Sequence, residues 1–294
     1  MEKLPINEEF LQQLELLQLL IKNSVAGAFG GNHKTRTYGT SCEYADFRDY
    51  VPGDDLKKVD WNAYARFEKL YLKLFLDERQ MHTRIYIDAS RSMTYGNGNK
   101  DTQAVKIAAA IAYLSVCDMD KVSIYVIHEN AVEEVISSML GKDSFVANIG
   151  KLNGIVFNGD SCISDAVLPL NVGYGDGLSV IISDFLTDNN YEDAVNYLAD
   201  RKRDVLCVQV LSREELKPKS RGKVHFFDSE NTSRYYRKNI NRDIINAYKA
   251  ALEYATGRIR DLCHSREAEY MLVAADENIA DLFFERMTEM GVLK

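Results

Sequence analysis

The chain has few prolines, no paired cysteines and no long hydrophobic run. Only 4 of its 294 residues are proline, so a long disordered tail is not expected. The five cysteines are odd in number and widely spaced, with no C-x-x-C pair: Cys42, Cys117, Cys162, Cys207 and Cys263. This usage favours a reduced, cytoplasmic protein over a disulfide or zinc scaffold.

Membrane-spanning segments and a basic surface are also missing from the sequence. The longest apolar stretch is IAAAIAYLSVC (107–117), whereas ~20 apolar residues are needed to cross a bilayer. The 36 basic and 44 acidic side chains give a net charge of −8, which argues against a general nucleic-acid binder. The most basic run, KPKSRGK (217–223), is interpreted as a solvated loop. We therefore predict no membrane span and no nucleic-acid partner.

From residue 84 onward, short apolar runs alternate with helical patterns. The strand-like runs are 84–88, 121–127, 178–184, 204–210 and 269–275, and the helical patterns are 101–117, 142–152, 162–169, 190–203, 241–264 and 277–290. This alternation predicts an α/β fold, a doubly wound and mainly parallel sheet with helices on both faces. The segment AVEEVISSM (131–139) follows a strand, and we predict that it returns as an antiparallel edge.

The first 80 residues have a different pattern. Leucine and isoleucine recur at helical spacing over 8–22, after Asn7 as a candidate cap. We predict one region at 1–80, a helix followed by an irregular or β part packed on the sheet, and a second domain at 81–294. Trp61, close to the turn signal VPGDD (51–55), is predicted to be a core residue of the first region.

The stretch IYIDASRSM (85–93) ends a predicted buried strand with one carboxylate and two hydroxyls. In an open doubly wound sheet, ligands bind beyond the carboxyl ends of the strands. The loop NGDSCISDAV (158–167) and the strand LSVIISD (178–184) lead to the same edge. Together these segments supply five hard oxygen donors: Asp88, Ser90, Ser92, Ser161 and Asp184. Such a set suits Mg²⁺ or Mn²⁺ and offers no soft ligand for zinc.

Two motifs carry a family resemblance. DASRS (88–92) is similar to the D-x-S-x-S signature of von Willebrand factor A-type domains, whose metal ion-dependent adhesion site also uses a threonine and an aspartate from two other loops. The run at 31–79, with PGDD, DWNAYAR and LYLKLF, closely resembles the domain-of-unknown-function-58 family, whose members carry a von Willebrand A-like domain. The resemblance covers the chain from about residue 25 to its end.

The resemblance also implies which residues hold the metal. Asp88, Ser90 and Ser92 fall on the first metal loop, and Asp184 falls on the third. Ser161 falls where the family usually has threonine, with Asp160 and Asp165 as neighbouring alternatives. The residues alone leave another interpretation open, because aspartate and serine at a strand end also form Asx turns and helix caps.

The function that the resemblance implies is Mg²⁺-dependent binding of another protein, without catalysis. Such a protein is an adaptor or assembly factor that acts with a MoxR-type AAA+ ATPase and a client offering an acidic side chain. Two alternatives stay open. A metal-assisted phosphohydrolase would need a second acid where the chain has Ser90. A metal-free interaction module remains because Ser161 replaces the threonine.

Two further residues near glycine-rich loops are interpreted as structural. His33 matches the family element GNHKT and is predicted to be a hydrogen-bonded structural residue. The loop YGNGNK (95–100) leads to Asp101, which we predict to cap the following helix.

Overall fold

The computed structural model describes residues 5–26, 44–75, 81–96, 99–175, 177–187, 190–218, 222–227 and 235–283. His33, Cys42 and the end of the predicted helix 277–290 lie outside these residues. Contacts group the chain into two compact units, residues 1–24 with 81–293, and residues 25–80 with 294. None of the described helices has the length and apolar character that crossing a membrane requires.

The regular elements of the described residues alternate along most of the chain. The helices are α1 (Glu8–Ala26), α2 (Trp61–Phe67), α3 (Lys100–Cys117), α4 (Gly141–Asn148), α5 (Ile163–Val167), α6 (Glu192–Asp200), α7 (Arg213–Leu216), α8 (Arg242–Ser265) and α9 (Ile279–Asp281). The strands are β1 (Tyr44–Asp49), β2 (Tyr71–Phe75), β3 (His82–Asp88), β4 (Lys121–His128), β5 (Ala131–Met139), β6 (Leu178–Ser183), β7 (Asp204–Leu211), β8 (Gly222–Phe227), β9 (Tyr235–Ile240) and β10 (Glu269–Ala274).

Six strands form one sheet in the order β10-β7-β6-β3-β4-β5. The pairs from β10 through β4 are parallel, and β5 pairs antiparallel with β4 at the edge. The predicted fold class, the five strand positions and the antiparallel edge at 131–139 are confirmed. Because strand order reverses on the two sides of β3, the carboxyl end of this central strand opens at the switch point where ligands bind.

Helices cover both faces of the sheet and build two apolar cores. One core joins α1, α3 and α4 to one face, with Ile85 and Ile87 of β3 at its centre. The other joins α5, α6 and α8 to the opposite face, with Tyr86 of β3 at its centre. Successive side chains of a strand point to opposite faces. Asp88 therefore continues the row of Tyr86, at the end of the strand.

The N-terminal helix α1 belongs to the sheet unit, whereas the sequence grouped it with the rest of residues 1–80. Its apolar stripe, Phe10, Leu14 and Leu17, is buried in the first core, and the Phe10 amide donates to the predicted cap Asn7 at 2.8 Å. Gln18, the residue after Leu17, is also held, because the hydroxyl of Tyr113 on α3 donates a hydrogen bond to it. The helix lies with the sheet because a stripe this apolar needs a large core to cover it. A domain boundary at residue 80 stays a prediction.

A pair of leucines on α1 tests this docking. Leu14 is 1% exposed and Leu16 is 60% exposed. We expect Leu14→Ala to lower the free energy of unfolding by at least about 2 kcal/mol, because it removes buried methyl groups and leaves a cavity. The matched change Leu16→Ala should cost less than about 0.5 kcal/mol. Urea unfolding monitored by circular dichroism measures both. Equal effects of the two changes would contradict the assignment of α1 to the sheet core.

The unit at 25–80 contains the antiparallel pair β1 and β2 with α2 between them. Asp60 caps α2 by accepting from the amides of Asn62 and Ala63. Trp61, the first residue of α2, is 57% exposed, so its predicted core position is wrong. The reason is local: Trp61 lies at the helix start and makes an edge-to-face contact with Tyr64, which is itself exposed.

The hairpin of β8 and β9 was not predicted from the sequence. The last two residues of the basic run at 217–223 belong to β8, which begins at Gly222, so the predicted loop is wrong for them. Gly222 pairs with Ile240 in a register that continues to Phe227 and Tyr235.

Candidate metal centre

The five predicted site residues come from three segments at the carboxyl edge of the sheet. Asp88 ends β3, and Asp184 directly follows β6, its parallel neighbour. Backbone hydrogen bonds tie the loop after β3 to the 158–162 loop: the Asn158 amide donates to the Ala89 carbonyl at 2.8 Å, and the Arg91 amide donates to the Gly159 carbonyl at 2.9 Å. The structure therefore brings all three segments together, as predicted.

Asp88 is the buried centre of this group, with 2% of its surface exposed. Its Oδ1 accepts from the Ser161 hydroxyl at 2.7 Å and from the Ser90 amide at 2.9 Å. Its Oδ2 accepts from the Ser183 hydroxyl at 2.6 Å. A serine oxygen can still act as an electron-pair donor while its hydroxyl donates a hydrogen bond to a carboxylate. Ser161 is held against Asp88 by such a hydrogen bond.

Ser90 and Ser92 do not play the capping role that the sequence left open. Ser90 precedes a short 3₁₀ turn at Arg91–Thr94, yet its side chain makes no capping hydrogen bond. Its Oγ lies instead 3.1 Å from the Ser92 Oγ. Asp88 does form the Asx-type turn through the Ser90 amide. The carboxylate therefore shapes the loop, and the two hydroxyls of that loop lie next to each other.

The spacing of these two hydroxyls allows a test of the predicted metal. Mg²⁺ takes octahedral oxygen ligands at 2.0–2.1 Å, so two adjacent ligands lie roughly 3.0 Å apart. The 3.1 Å between Ser90 Oγ and Ser92 Oγ is that of a hydrogen bond, and it is also compatible with this separation. In the described part of the chain, no group of three or more His, Cys, Asp or Glu side chains could hold a metal ion. A site here must accordingly use hydroxyls, and the residues present fit Mg²⁺ or Mn²⁺ on that basis.

The surroundings of Asp88 disfavour the ionised form of its carboxyl group. Burial raises the pKa of the Asp88 carboxyl, and the negative charge of Asp184 raises it further. Hydrogen bonds from Ser183, Ser161 and the Ser90 amide lower it, without cancelling the rise. Burying a carboxylate beside another carboxylate costs free energy unless a cation lies near them.

Asp184 begins a strained turn after β6. Its Oδ1 accepts from the Leu186 amide at 3.1 Å. Between them, Phe185 has a φ of 50°, a left-handed conformation that is unusual for an aromatic residue. Phe185 is held there by burial and by an edge-to-face contact with Tyr191. Such strain persists only where the surroundings enforce it. The hydrogen bond from the Leu186 amide holds the Asp184 carboxylate against this turn.

A buried lysine beside Asp184 was missed by the sequence reasoning. Lys100 Nζ donates to Asp184 Oδ2 at 2.9 Å and to Glu215 Oε1 at 2.8 Å. The prediction that Asp101 caps the helix after the loop at 95–100 is wrong. The helix begins at Lys100, with Asn99 in the capping position and Asp101 in the first turn. Glu215 is fixed by a capping box with Ser212 at the start of α7.

Ser183 was also missed, although it lies in the predicted strand next to Asp184. We expect Ser183→Ala to lower the free energy of unfolding by about 1–3 kcal/mol, because it removes a donor from the buried Asp88 carboxylate. Ser92→Ala is the matched control and should cost less than about 1 kcal/mol, since the Ser92 hydroxyl is half-buried and bonds only another hydroxyl. Thermal unfolding in EDTA measures both. A larger loss for Ser92→Ala would contradict this role of Ser183.

Comparisons with known proteins identify relatives over much of the chain. An uncharacterized protein of Mycobacterium tuberculosis, Rv1480, is 27% identical over 225 residues, which cover 74% of this chain and 70% of that protein. Mb1516, an uncharacterized protein of Mycobacterium bovis, matches to the same extent.

Solved structures similar to this chain include the VWA domain of SpRpn10, with a TM-score of 0.38 and 8% identity over 69% of this chain and 92% of that chain. The pilus adhesin SpaC from Lactobacillus rhamnosus GG has a TM-score of 0.42 and 9% identity over 74% of this chain and 30% of that chain. The family match covers residues 46–256, most of the chain, and it shows that the chain belongs to the family described as "Protein of unknown function DUF58".

Proposed function

We propose that this protein is a Mg²⁺-dependent interaction module that binds an acidic side chain of a partner protein. Asp88, Ser90, Ser92, Ser161 and Asp184 would hold the ion, with Mn²⁺ as a substitute. The observation that carries the proposal is the cluster of hydroxyls around Asp88. Two loops deliver Ser161 at 2.7 Å from Asp88 and the Ser90–Ser92 pair at 3.1 Å from each other.

The roles of the residues follow from their burial and hydrogen bonds. Asp88 accepts a hydrogen bond from the Ser161 hydroxyl and thereby orients this oxygen donor, in addition to offering its own carboxylate to the ion. Ser90 and Ser92 offer two more oxygens without adding charge. When bound, the ion supplies positive charge and an open coordination position for a carboxylate oxygen. With only two carboxylates among the five donors, the chain supplies few anionic ligands and leaves a coordination position that a partner carboxylate can take.

We propose a MoxR-type AAA+ ATPase and a client protein as the partners, with this chain as adaptor or assembly factor between them in the cytoplasm. These partners rest on the sequence resemblance alone. A non-catalytic role is favoured over a phosphohydrolase because position 90 is serine, and its hydroxyl is engaged with that of Ser92. Phosphatase activity that requires Mg²⁺ would favour the enzyme instead.

The experiment is protein capture on the immobilised chain in three buffers: Mg²⁺, EDTA, and EDTA followed by excess Mg²⁺. We expect partners, among them an AAA+ ATPase identified by mass spectrometry, to be captured in Mg²⁺, lost in EDTA and regained on adding Mg²⁺. Competition by free glutamate-rich peptide should reduce capture, with a glutamine-rich peptide as the control. Capture that persists unchanged in EDTA would overturn the metal-dependent function.

A metal-free interaction module is the second candidate, and one observation favours it. Asp184 already has a permanent cation beside it, the Lys100 ammonium at 2.9 Å. A site neutralised in this way does not need a metal ion in order to fold. EDTA-resistant capture that is lost in a charge-reversed variant of the site would favour this candidate.

A further inference from the structure

We propose that Lys100 sets how tightly the site holds its divalent cation, by offsetting the charge of Asp184. This inference rests on the proposed function and concerns the affinity of the same site for its ion. The ammonium group acts as a fixed competitor, so that the ion is held weakly until a partner carboxylate arrives.

The geometry shows a lysine placed for this purpose and fully enclosed. Lys100 has no exposed surface, and its Nζ contacts one oxygen each of Asp184 and Glu215 at 2.9 and 2.8 Å. Asp184 and Glu215 are almost as buried, with 3% and 9% of their side-chain surfaces exposed. Water screens such charges poorly, so each acts on the site more strongly than a surface charge would.

The position of Lys100 is unfavourable for an ordinary helix residue. It occupies the first turn of α3, where the helix dipole favours negative side chains. A buried ion group is also weak evidence for stability, because desolvation offsets most of its attraction. The ion group as a whole therefore contributes little net stability, and the contact of Lys100 with a predicted metal-site carboxylate gives the lysine a second role.

Glu215 reduces the effect of the Lys100 charge on Asp184. It is anchored by α7, where the Ser212 amide donates to Glu215 Oε2 at 2.7 Å. Its negative charge compensates part of the Lys100 charge, so that Asp184 is only partly neutralised. Removing Lys100 should therefore increase the effective negative charge of the site, and removing the charge of Glu215 should decrease it. The two changes have opposite predicted signs, which a merely structural role would not produce.

The experiment measures Mn²⁺ binding to the full chain, by electron paramagnetic resonance of free Mn²⁺, in wild type and three variants. Lys100→Met should bind Mn²⁺ at least about tenfold more tightly. Glu215→Gln keeps the capping geometry of the glutamate and should bind at least several-fold more weakly. Lys100→Arg retains the charge and should bind as wild type does. The thermal shift on adding Mn²⁺ should be largest in Lys100→Met.

The inference would be overturned if Lys100→Met and Glu215→Gln both bound Mn²⁺ more weakly than wild type does. It would also be overturned if neither variant differed from wild type. If Lys100→Met does not fold, Glu215→Gln decides the question. Weaker Mn²⁺ binding by Glu215→Gln would support the inference, and unchanged or tighter binding would overturn it. If wild type binds Mn²⁺ and Lys100→Met binds it equally well, this inference fails but the proposed function does not. Absence of binding in every variant defeats the proposed function as well.

Discussion

Replacing Asp88 with asparagine should abolish metal-dependent capture of the partner and, at the same time, raise the melting temperature of the metal-free protein. Asparagine has nearly the same shape and keeps an oxygen to accept from Ser161 and the Ser90 amide. It removes the negative charge that orients the hydroxyls, and losses of such supporting groups typically reduce metal affinity by about 10- to 100-fold. Because the variant no longer buries a charge, its free energy of unfolding should rise by about 0.5–2 kcal/mol, as is common where a functional site reduces stability.

The stability gain of Asp88→Asn should depend on pH. The folded-state pKa of Asp88 is raised, first by burial and then by Asp184. A carboxyl of this kind contributes stability at low pH, where it is protonated in both states, and that contribution is lost as the pH rises through the raised pKa. In EDTA, the variant and wild type should therefore melt alike below about pH 3.9, the usual aspartate pKa, and diverge toward neutral pH.

An exposed carboxylate near the site provides the control. Asp165, in the first turn of α5, is exposed, and it is one of the two aspartates considered in place of Ser161. Asp165→Asn should leave capture unchanged and should not raise the melting temperature. Differential scanning calorimetry and capture in Mg²⁺ measure the two properties. Loss of capture in Asp165→Asn, with capture intact in Asp88→Asn, would move the site away from Asp88.

Replacing Lys100 with methionine should be the most destabilising single change at the site, at about 3–5 kcal/mol. Methionine fills much of the same volume but leaves Asp184 and Glu215 buried without their cation. Breaking a buried ion group by removing one partner has that cost, even where the whole group contributes little. Denaturant unfolding at low temperature in EDTA measures the loss.

Two comparisons separate this effect from simple loss of a lysine. Lys151→Met changes an exposed lysine and should cost less than about 0.5 kcal/mol. The triple change Lys100→Met, Asp184→Asn, Glu215→Gln should recover much of the loss, because no uncompensated charge remains. A Lys100→Met variant as stable as wild type would show that the buried ion group is not formed in solution.

The sheet was predictable because its signal is local and repeated. The four inner strands, β3, β4, β6 and β7, are largely buried on both faces and therefore appear in the sequence as short apolar runs. The antiparallel edge was visible too, since β5 follows β4 after a short turn. The placement of α1 was not predictable, because an apolar stripe shows that a helix packs but not against which element. Trp61 was misplaced for a related reason: aromatic character alone does not fix burial.

The candidate site divides in the same way. Asp88, Ser90 and Ser92 lie within five residues, and sheet topology was enough to add Ser161 and Asp184 at the same edge. Ser183 could have been found, because it immediately precedes Asp184 on a strand beside β3. Lys100 and Glu215 could not, since 115 residues separate them and their meeting depends on how the α3 and α7 loops pack. Buried ion partners of this kind leave no periodic signal in one sequence.

The most direct test of a metal site at Asp88 is Mn²⁺ binding to the full wild-type chain and to Asp88→Asn, followed by electron paramagnetic resonance with Mg²⁺ as competitor. We expect one weak Mn²⁺ site per chain in wild type, which Mg²⁺ displaces, which added carboxylate peptide strengthens, and which is absent from folded Asp88→Asn. Equal Mn²⁺ binding by the two proteins, or no binding by wild type even with the peptide present, would contradict this expectation.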